Sequence, residues 1–538
     1  MWEKAISELE KRRRISELGG GPERMEKQHN NGKLSARERI ELLLDPETFT
    51  EIDNFIESRI NDFNLDKKRV PGDGVITGYG RINGRLVFVS SEDFTVIGGT
   101  LGEYHSQKIC HIQDMALDMK APIIMINDSG GARIEEGVSS LGGYSGIFLR
   151  NTRASGIIPQ IAVIAGPCSG GACYSPAICD FIFMVDIIGQ MFITGPQVVK
   201  AFTNEVVSYE ELGGAGIQSK KSGVAHFVCD SENKCMEEVR RLLSFLPDNY
   251  LEKPPSVSHK KTIFSNLLKT KKADYGMNSS NSKKVEEDFC RELINIVPAD
   301  LSKPYDVHLV INKIFDANSF MEIQKEFARN AVIGFGRLNG ICIGIVANQP
   351  MHLAGAVDCD AADKIARFIR TCDCFNTPLI TLVDVPGFYP GTEQEHHGII
   401  RHGAKILYAY SEATVPKITL IMRKAYGGAY IAMNSMKMGA DIVYAWPIAE
   451  IAVMGAEGAV NIIYKHEIER SVDPEEERRR FTQDYNSKFM NPYHAAARGY
   501  ITEVINPDET RRRLISSLLL LGNKSMAIVP KKHGNIPL

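Results

Sequence analysis

Little in the 538-residue chain points to a membrane, a metal centre or a nucleic acid. No apolar run approaches the length of a bilayer span; the leucines at 518–521 make far too short a stretch. There is no Cys-x-x-Cys pair, and Cys372 and Cys374 are spaced wrongly for a zinc ribbon. The eleven cysteines sit mostly in apolar or Gly/Ser segments, as at Cys168, Cys173, Cys179 and Cys342. That usage predicts free buried thiols and a reducing compartment. Neither sign of charge dominates: the formal net charge is −3, and no basic patch is interleaved with aromatics, so no nucleic acid is expected. The arginine runs at 12–14, 478–480 and 511–513 stand beside glutamates or open helical patterns, and read as solvated helix faces. The first residues carry acids and lack a signal core, which leads to the expectation of a cytoplasmic protein. No nucleotide-binding Gly-rich lysine motif occurs; Gly78, Gly80 and Gly84 fit a hairpin better than a dinucleotide fingerprint.

What the chain does have is an ordinary globular composition, 43% hydrophobic and 24% charged, and a long internal repeat. Arg81, Asn83 and Gly84 match Arg337, Asn339 and Gly340 at one spacing. The same spacing carries Gly99 to Gly355, Pro122 to Pro378 and Asp128 to Asp384. One residue further on, Pro159 maps to Pro416 and Gly170-Gly171 to Gly427-Gly428; later, Gly195 maps to Gly455. Chance does not hold a register this long, so two copies of one domain are predicted. The boundaries expected are 1–250 and 301–538, with a polar linker at 251–300 that contains Lys260-Lys261, Lys271-Lys272 and the Asn/Ser run at 278–282.

Each copy reads as α/β layers. Asn83-Gly84 and Asn339-Gly340 are hairpin signals. Short apolar strands are expected at 123–126, 161–165 and 181–185, then at 379–383, 418–422 and 442–445, alternating with helical stretches. Residues 1 to about 60 look like a helical lead-in, with Ser35 as an N-cap. Val307 to Phe315 opens the second copy, with Asp316 as its breaker. Each glycine pair is expected between a strand and a helix, with a turn at Pro167-Cys168 in the first copy. Glycines there leave the first N–H groups of a helix bare at the positive end of its dipole, a place for an anion or a developing oxyanion. Tight packing with no ligand is the better explanation of a lone Gly-Gly; a matched pair of them favours a site.

The motifs that carry a family likeness are long. They include Asn127-Asp128-Ser129-Gly130-Gly131-Ala132-Arg133-Ile134, Gly166-Pro167-Cys168-Ser169-Gly170-Gly171-Ala172 and Val385-Pro386-Gly387-Phe388. Gly398-Ile399-Ile400-Arg401-His402-Gly403-Ala404-Lys405, Tyr426-Gly427-Gly428-Ala429-Tyr430 and Tyr444-Ala445-Trp446-Pro447 continue the set. From Gly21-Pro22 to the terminal Ile536-Pro537-Leu538, the chain resembles the carboxyltransferase (β) subunits of biotin-dependent acyl-CoA carboxylases, near propionyl-CoA carboxylase. The α subunits of methylmalonyl-CoA decarboxylases and the central subunit of transcarboxylase look similar too. The resemblance implies two tandem crotonase-like (ClpP/crotonase) domains, assembled as a hexamer with active sites between subunits. The first copy would bind acyl-CoA and the second the biotin of a separate carrier protein. The N–H groups of Gly170 and Gly171 would hold the thioester oxygen as it becomes an enolate, with Ala172, Gly130 and Gly131 lining the acyl-CoA side. Those of Gly428 and Ala429, after Gly427, would hold the biotin ureido oxygen, with Tyr430 and Ile431 toward the acyl end. Partners implied are a biotin carboxylase and biotin carboxyl carrier subunit, and no metal is expected in this chain.

Decoys remain. Ser435-Met436-Lys437-Met438 mimics a biotinylated lysine, but it follows the glycine pair on a predicted helix rather than at a hairpin tip. Glu135 and Glu136 invite an acid–base reading, which helix capping explains as well. His396, His397 and His402 lack the carboxylate or thiol partners of a metal site. His397 replaces a glycine usual in the family, and Ile431 stands where propionyl-selective members often carry Asp. Three functions stay open: a carboxylase transferase subunit for propionyl- or acetyl-CoA, a decarboxylase subunit running the transfer backwards with a membrane partner, and a crotonase-type lyase without biotin.

Overall fold

A computed structural model describes residues 1–257, 292–526 and 530–538. Most of the polar stretch expected as a linker therefore lies outside the described residues. The chain divides into two compact units, Met1–Lys253 and Pro254–Leu538.

The first unit is built on eight strands: β1 (Thr50–Ile52), β2 (Val75–Ile82), β3 (Arg85–Glu92), β4 (Ile123–Ser129), β5 (Gln160–Ser169), β6 (Phe181–Val185), β7 (Gln190–Phe192) and β8 (Phe227–Cys229). They order as β1-β2-β3-β4-β5-β6-β8, with β7 on β5. The second unit has β9 (Met321–Ile323), β10 (Ala331–Leu338), β11 (Ile341–Asn348), β12 (Leu379–Val385), β13 (Lys417–Tyr426), β14 (Ile442–Ala445), β15 (Glu450–Ala452) and β16 (Glu503–Val504). Their order, β16-β14-β13-β12-β11-β10-β9 with β15 on β13, is the same topology. The repeat in the sequence is thus a repeat of whole sheets, and every strand expected from apolar runs is present.

The hairpins form where Asn-Gly placed them. Asn83 and Gly84 take φ of 51° and 78°, Asn339 and Gly340 of 53° and 76°, the left-handed pair a two-residue hairpin needs. Each turn is also clipped by the helix breaker before it. Asp45 accepts from the N–H groups of Asn83 (3.1 Å) and Gly84 (2.9 Å) and from Arg240 (2.8 Å). Asp316 accepts from Asn339 (3.0 Å), Gly340 (2.8 Å) and Arg511 (2.6 Å). Ser35 caps the helix Ala36–Leu43 in a full capping box with Glu38.

One expectation is corrected here. Pro167-Cys168 is not a turn: β5 continues through Ser169, because its last residues exchange β6 for β7, Pro167 to Gln190 and Ser169 to Phe192, while Cys168 stays paired to Ser129 of β4. Likewise β13 runs on to Tyr426 by pairing with β15. The switch follows a register slip at Asp128 in one sheet and at Asp384 in the other. Each glycine pair therefore rides at the tip of a strand that has changed partners.

Helices Glu103–Met119 and Val138–Ala154 cover the first sheet, and Cys359–Cys374 and Ile399–Glu412 the second. Lys108 and Lys364, at matched places in these helices, are buried. Lys108 donates to the carbonyls of Gly72 and Val75, Lys364 to those of Gln324, Phe327, Ala328 and Ala331. The second core gathers Leu293, Val297, Trp446 and Leu514, so residues just after the undescribed stretch already belong to that unit. Among the described residues, no helix is long and apolar enough to cross a membrane.

Candidate active site: two glycine-led amide cradles

In the first unit β5 delivers Ser169 to a 3-10 turn, Gly170–Cys173, which leads into the helix Tyr174–Ile178. The expected regular helix start is this tighter turn. Gly170 takes φ 62°, which a side chain would strain, and the amides of Gly170 and Gly171, ahead of the first i→i+3 bond, have no acceptor within the turn. The ring of Tyr144 lies under Gly171: a methyl there would meet its Cδ2 at 3.1 Å. Gly130 and Gly131 are brought to the same place. Ser169 Oγ donates to the Gly130 carbonyl at 2.9 Å, and a methyl on Gly131 (φ 100°) would stand 2.9 Å from the Ser169 carbonyl. Cys173 donates to the Cys168 carbonyl at 2.7 Å, tying the turn to its own strand.

The second unit builds the same feature as a regular helix, Gly427–Ala432, directly after β13. Gly427 takes φ 58°. Gly428 is exposed and Ala429 buried. Beneath Gly428 lies Phe388, which a methyl would meet at 3.7 Å. Tyr426 donates a short hydrogen bond to Glu450, across β13 and β15. The Tyr430 hydroxyl is buried without a protein partner, and burial raises its pKa. Ile431 stands outward, 45% exposed.

Behind each cradle sits a buried aspartate. Asp128 takes Lys33 (2.6 Å), Arg39 (2.9 Å) and Gln28 (3.1 Å), while Arg39 also pairs with Glu232 at 2.7 Å. Asp384 takes Arg423 (2.8 Å) and the Lys424 N–H (3.2 Å). The repeat singled out both aspartates but assigned them no partners. Arg423 had a readable signal, a cation inside an apolar strand; Arg39, on a short polar helix, had none.

The decoys resolve structurally. Glu136 pairs with Arg133 (2.8 Å) and accepts from the Glu103 N–H (2.6 Å), so it caps a neighbouring helix. Met436–Met438 is a 3-10 turn beyond the helix rather than part of it. His396 and His397 are exposed, and His402 faces Asp363 at 2.9 Å. Among the described residues no cluster of His, Cys, Asp or Glu could hold a metal.

The carboxyl transferase domain model matches residues 27–536. The chain belongs to the carboxyl transferase family. Relatives in this family span it end to end. The propionyl-CoA carboxylase carboxyltransferase subunit of Haloferax mediterranei is 52% identical, covering 100% of this chain and 99% of the relative. The methylmalonyl-CoA decarboxylase subunit alpha of Propionigenium modestum is 50% identical over 99% of each. Among solved structures, the transcarboxylase 12S hexamer with methylmalonyl-CoA and methylmalonic acid bound superposes with a TM-score of 0.93 at 48% identity, over 100% of this chain and 99% of that one. The fold is accordingly two tandem crotonase-like α/β domains, and this family member is a carboxyltransferase.

Proposed function

We propose that this carboxyltransferase is the subunit of a biotin-dependent acyl-CoA carboxylase that moves CO2 from carboxybiotin to carbon 2 of a short acyl-CoA, propionyl-CoA first and acetyl-CoA second. The observation that carries the reading is the full-length, 52% identical propionyl-CoA carboxylase relative. In it, residues 1–250 bind the acyl-CoA, residues 301–538 bind the biotin of a carrier subunit, and the chain assembles as a hexamer, as the transcarboxylase does.

The residues present suit the groups implied. A thioester oxygen that turns into an enolate needs donors fixed in place before the charge develops, and main-chain amides held by a strand tip are such donors. Gly170 and Gly171 supply them on the acyl side, with Gly130, Gly131 and Ala172 shaping the wall. Gly428 and Ala429 supply them for the biotin ureido oxygen. The exposed, side-chain-free Gly428, the left-handed Gly427 and the unpartnered Tyr430 hydroxyl leave room and donors for it. Carboxybiotin, when bound, supplies the CO2 and, after its loss, the base that takes the proton from carbon 2. Ile431 then borders the acyl end, where a methylene changes discrimination by only about 1–3 kcal/mol.

The 50% identical decarboxylase relative favours one other reading, the same transfer run backwards from methylmalonyl-CoA with a membrane partner. Purified chain is mixed with carboxylated biotin carrier and acetyl-, propionyl- or butyryl-CoA. Carboxylated product with kcat/KM highest for propionyl-CoA is expected. Turnover of methylmalonyl-CoA to propionyl-CoA with no measurable forward transfer would establish the decarboxylase, and neither reaction would end both readings.

A further inference from the structure

Beneath the first cradle lies a buried polar group that the transfer as described does not use. A small cavity of about 20 Å³, counted as space for a water centre, is lined by Ser90, Glu92, Asn127, Tyr144, Ala172 and Ser175 among apolar neighbours. All six are buried. A single water needs about 10–15 Å³ and at least two polar partners. The Tyr144 hydroxyl, near Ser129, and His105 Nε2, facing Glu92, are buried here with no protein hydrogen bond.

The proton positions follow from geometry. His105 Nδ1 lies 2.9 Å from the Asp73 carbonyl, which can only accept, so Nδ1 carries a hydrogen; full burial beside the cations Arg133 and Lys108 keeps the ring neutral and leaves Nε2 a bare acceptor. Facing Nε2 at 3.7 Å is Glu92 Oε1, and Glu92 Oε2 accepts the Asp128 N–H at 3.0 Å. The Nε2–Oε1 separation is too long for a hydrogen bond, but a lone pair facing a carboxyl disfavours the carboxylate there. Burial supports this on both sides, pushing Glu92 up to about 8 and His105 down to about 4.

We propose that Glu92 is a positioning residue for the first amide cradle: as a neutral acid it faces His105, accepts from the Asp128 N–H and, through a water in the cavity, holds the Tyr144 hydroxyl, fixing the ring on which Gly171 rests. The proposal rests on Gly170 and Gly171 being the acyl-side donors. The Asp128 N–H and Arg39 favour a Glu92 anion, but burial and the Asp128 charge outweigh them. Asp128 and Arg39 face it on one side, with Lys33 and Glu232 completing two cations and two anions that already balance. On the helix side stand His105, Asp73, Arg133 and Lys108, with Arg133 already paired to Asp73 and Glu136. Asp93 adjoins it in the chain, buried and itself shifted upward. Ionised, Glu92 would set a negative charge against the His105 lone pair and behind a cradle that must hold a developing oxyanion. The second copy is a built-in contrast: its matching residue is Asn348, which accepts the Asp384 N–H at 3.2 Å, and Gly428 rests near Phe388.

Two readouts on the full chain test this. Infrared spectra against pH are expected to show a protonated-carboxyl band at pH 7 that fades with a midpoint near pH 8 and is missing in Glu92→Gln. For carboxyl transfer, kcat is expected to fall along an alkaline limb with the same midpoint, and Glu92→Gln to abolish that limb. Glu92→Leu, which cannot hydrogen-bond, should lower kcat at pH 7 at least about tenfold with KM for the acyl-CoA changed less than about twofold, and Gln should recover most of the loss. A missing band in the wild type, or an alkaline limb that survives in Glu92→Gln, overturns the proposal. If the wild type transfers no carboxyl group, the functional reading falls by itself. Crystal structures then decide the positioning: Glu92→Leu must displace Tyr144 and Gly171, and Glu92→Gln must not.

Discussion

Asp128 and Asp384 occupy matching places at the register slips of the two sheets, and both are fully buried, yet each is neutralised from a different part of the chain. Around Asp128 the cations come from the N-terminal segment, Lys33 and Arg39, and Arg39 is shared with Glu232 near the end of the unit. Around Asp384 the cation is Arg423, on the neighbouring strand, which also donates to the carbonyls of Pro298, Asp300 and Lys303 and lies over Tyr305. The residue matching Arg423 is Gly166, where even a methyl would stand 2.0 Å from an Asp128 oxygen. A shared backbone thus fixes where the buried anion must be and leaves open who answers it. In the first unit the answer binds the lead-in helices to the sheet; in the second it binds the stretch before Tyr305.

The largest effect should come from the cradles themselves. Proline is tolerated in the first turn of a helix, so Gly428→Pro removes one donor without destroying the turn, while Gly171→Pro removes one donor and also presses on the Tyr144 ring. Each should cost about a hundredfold or more in kcat, roughly 3 kcal/mol of barrier, with the far-ultraviolet circular dichroism unchanged. Full activity in one variant would break the symmetry, leaving only the other copy with an oxyanion to hold. Next come the buried anions. Asp128→Ala and Asp384→Ala each leave buried cations unanswered, a loss of about 3–5 kcal/mol in denaturant unfolding. Asp128→Ala should be the worse, since Lys33 has no second acidic contact while Arg423 keeps three carbonyls; equal losses would erase that distinction.

The smallest effect concerns the hairpin clips. Burial pushes the Asp316 carboxyl up, but Arg511 and the amides of Gly340 and Asn339 outweigh it, so its pKa is lowered. Asp45 is lowered as well, chiefly by the Gly84 N–H. A depressed carboxylate stabilises the fold above its unfolded pKa, about 4, and loses that contribution as pH falls through the folded value. Asp316→Asn should therefore cost about 1 kcal/mol at pH 7 and progressively less below pH 4, and Asp45→Asn less throughout, by thermal unfolding against pH. A pH-independent loss at either site would show that the turn, not the charge, is what matters there.

Much of this was legible beforehand, for physical reasons. Asn-Gly demands left-handed backbone, so both hairpins could be placed to the residue. Apolar runs bounded by Gly and Pro gave the central strands. What escaped depended on partners distant in sequence. No local pattern reveals that β5 trades β6 for β7 and so carries Pro167 in a strand, or that Arg39 on a polar helix is wholly buried against Asp128. Nor does a Gly-Gly pair disclose what lies under it: Tyr144 with a polar cavity in one copy, Phe388 in the other.

The clips have one more implication. Arg240 also donates to the Leu43 carbonyl and Arg511 to that of Ile314, so each copy fastens a late helix to the helix that precedes its first strand. During synthesis, neither copy can seal itself until that late arginine has left the ribosome. Tandem duplication of such a self-latching module yields two bodies that each know their own ends, which suits a chain in which the pair could then diverge one cradle at a time.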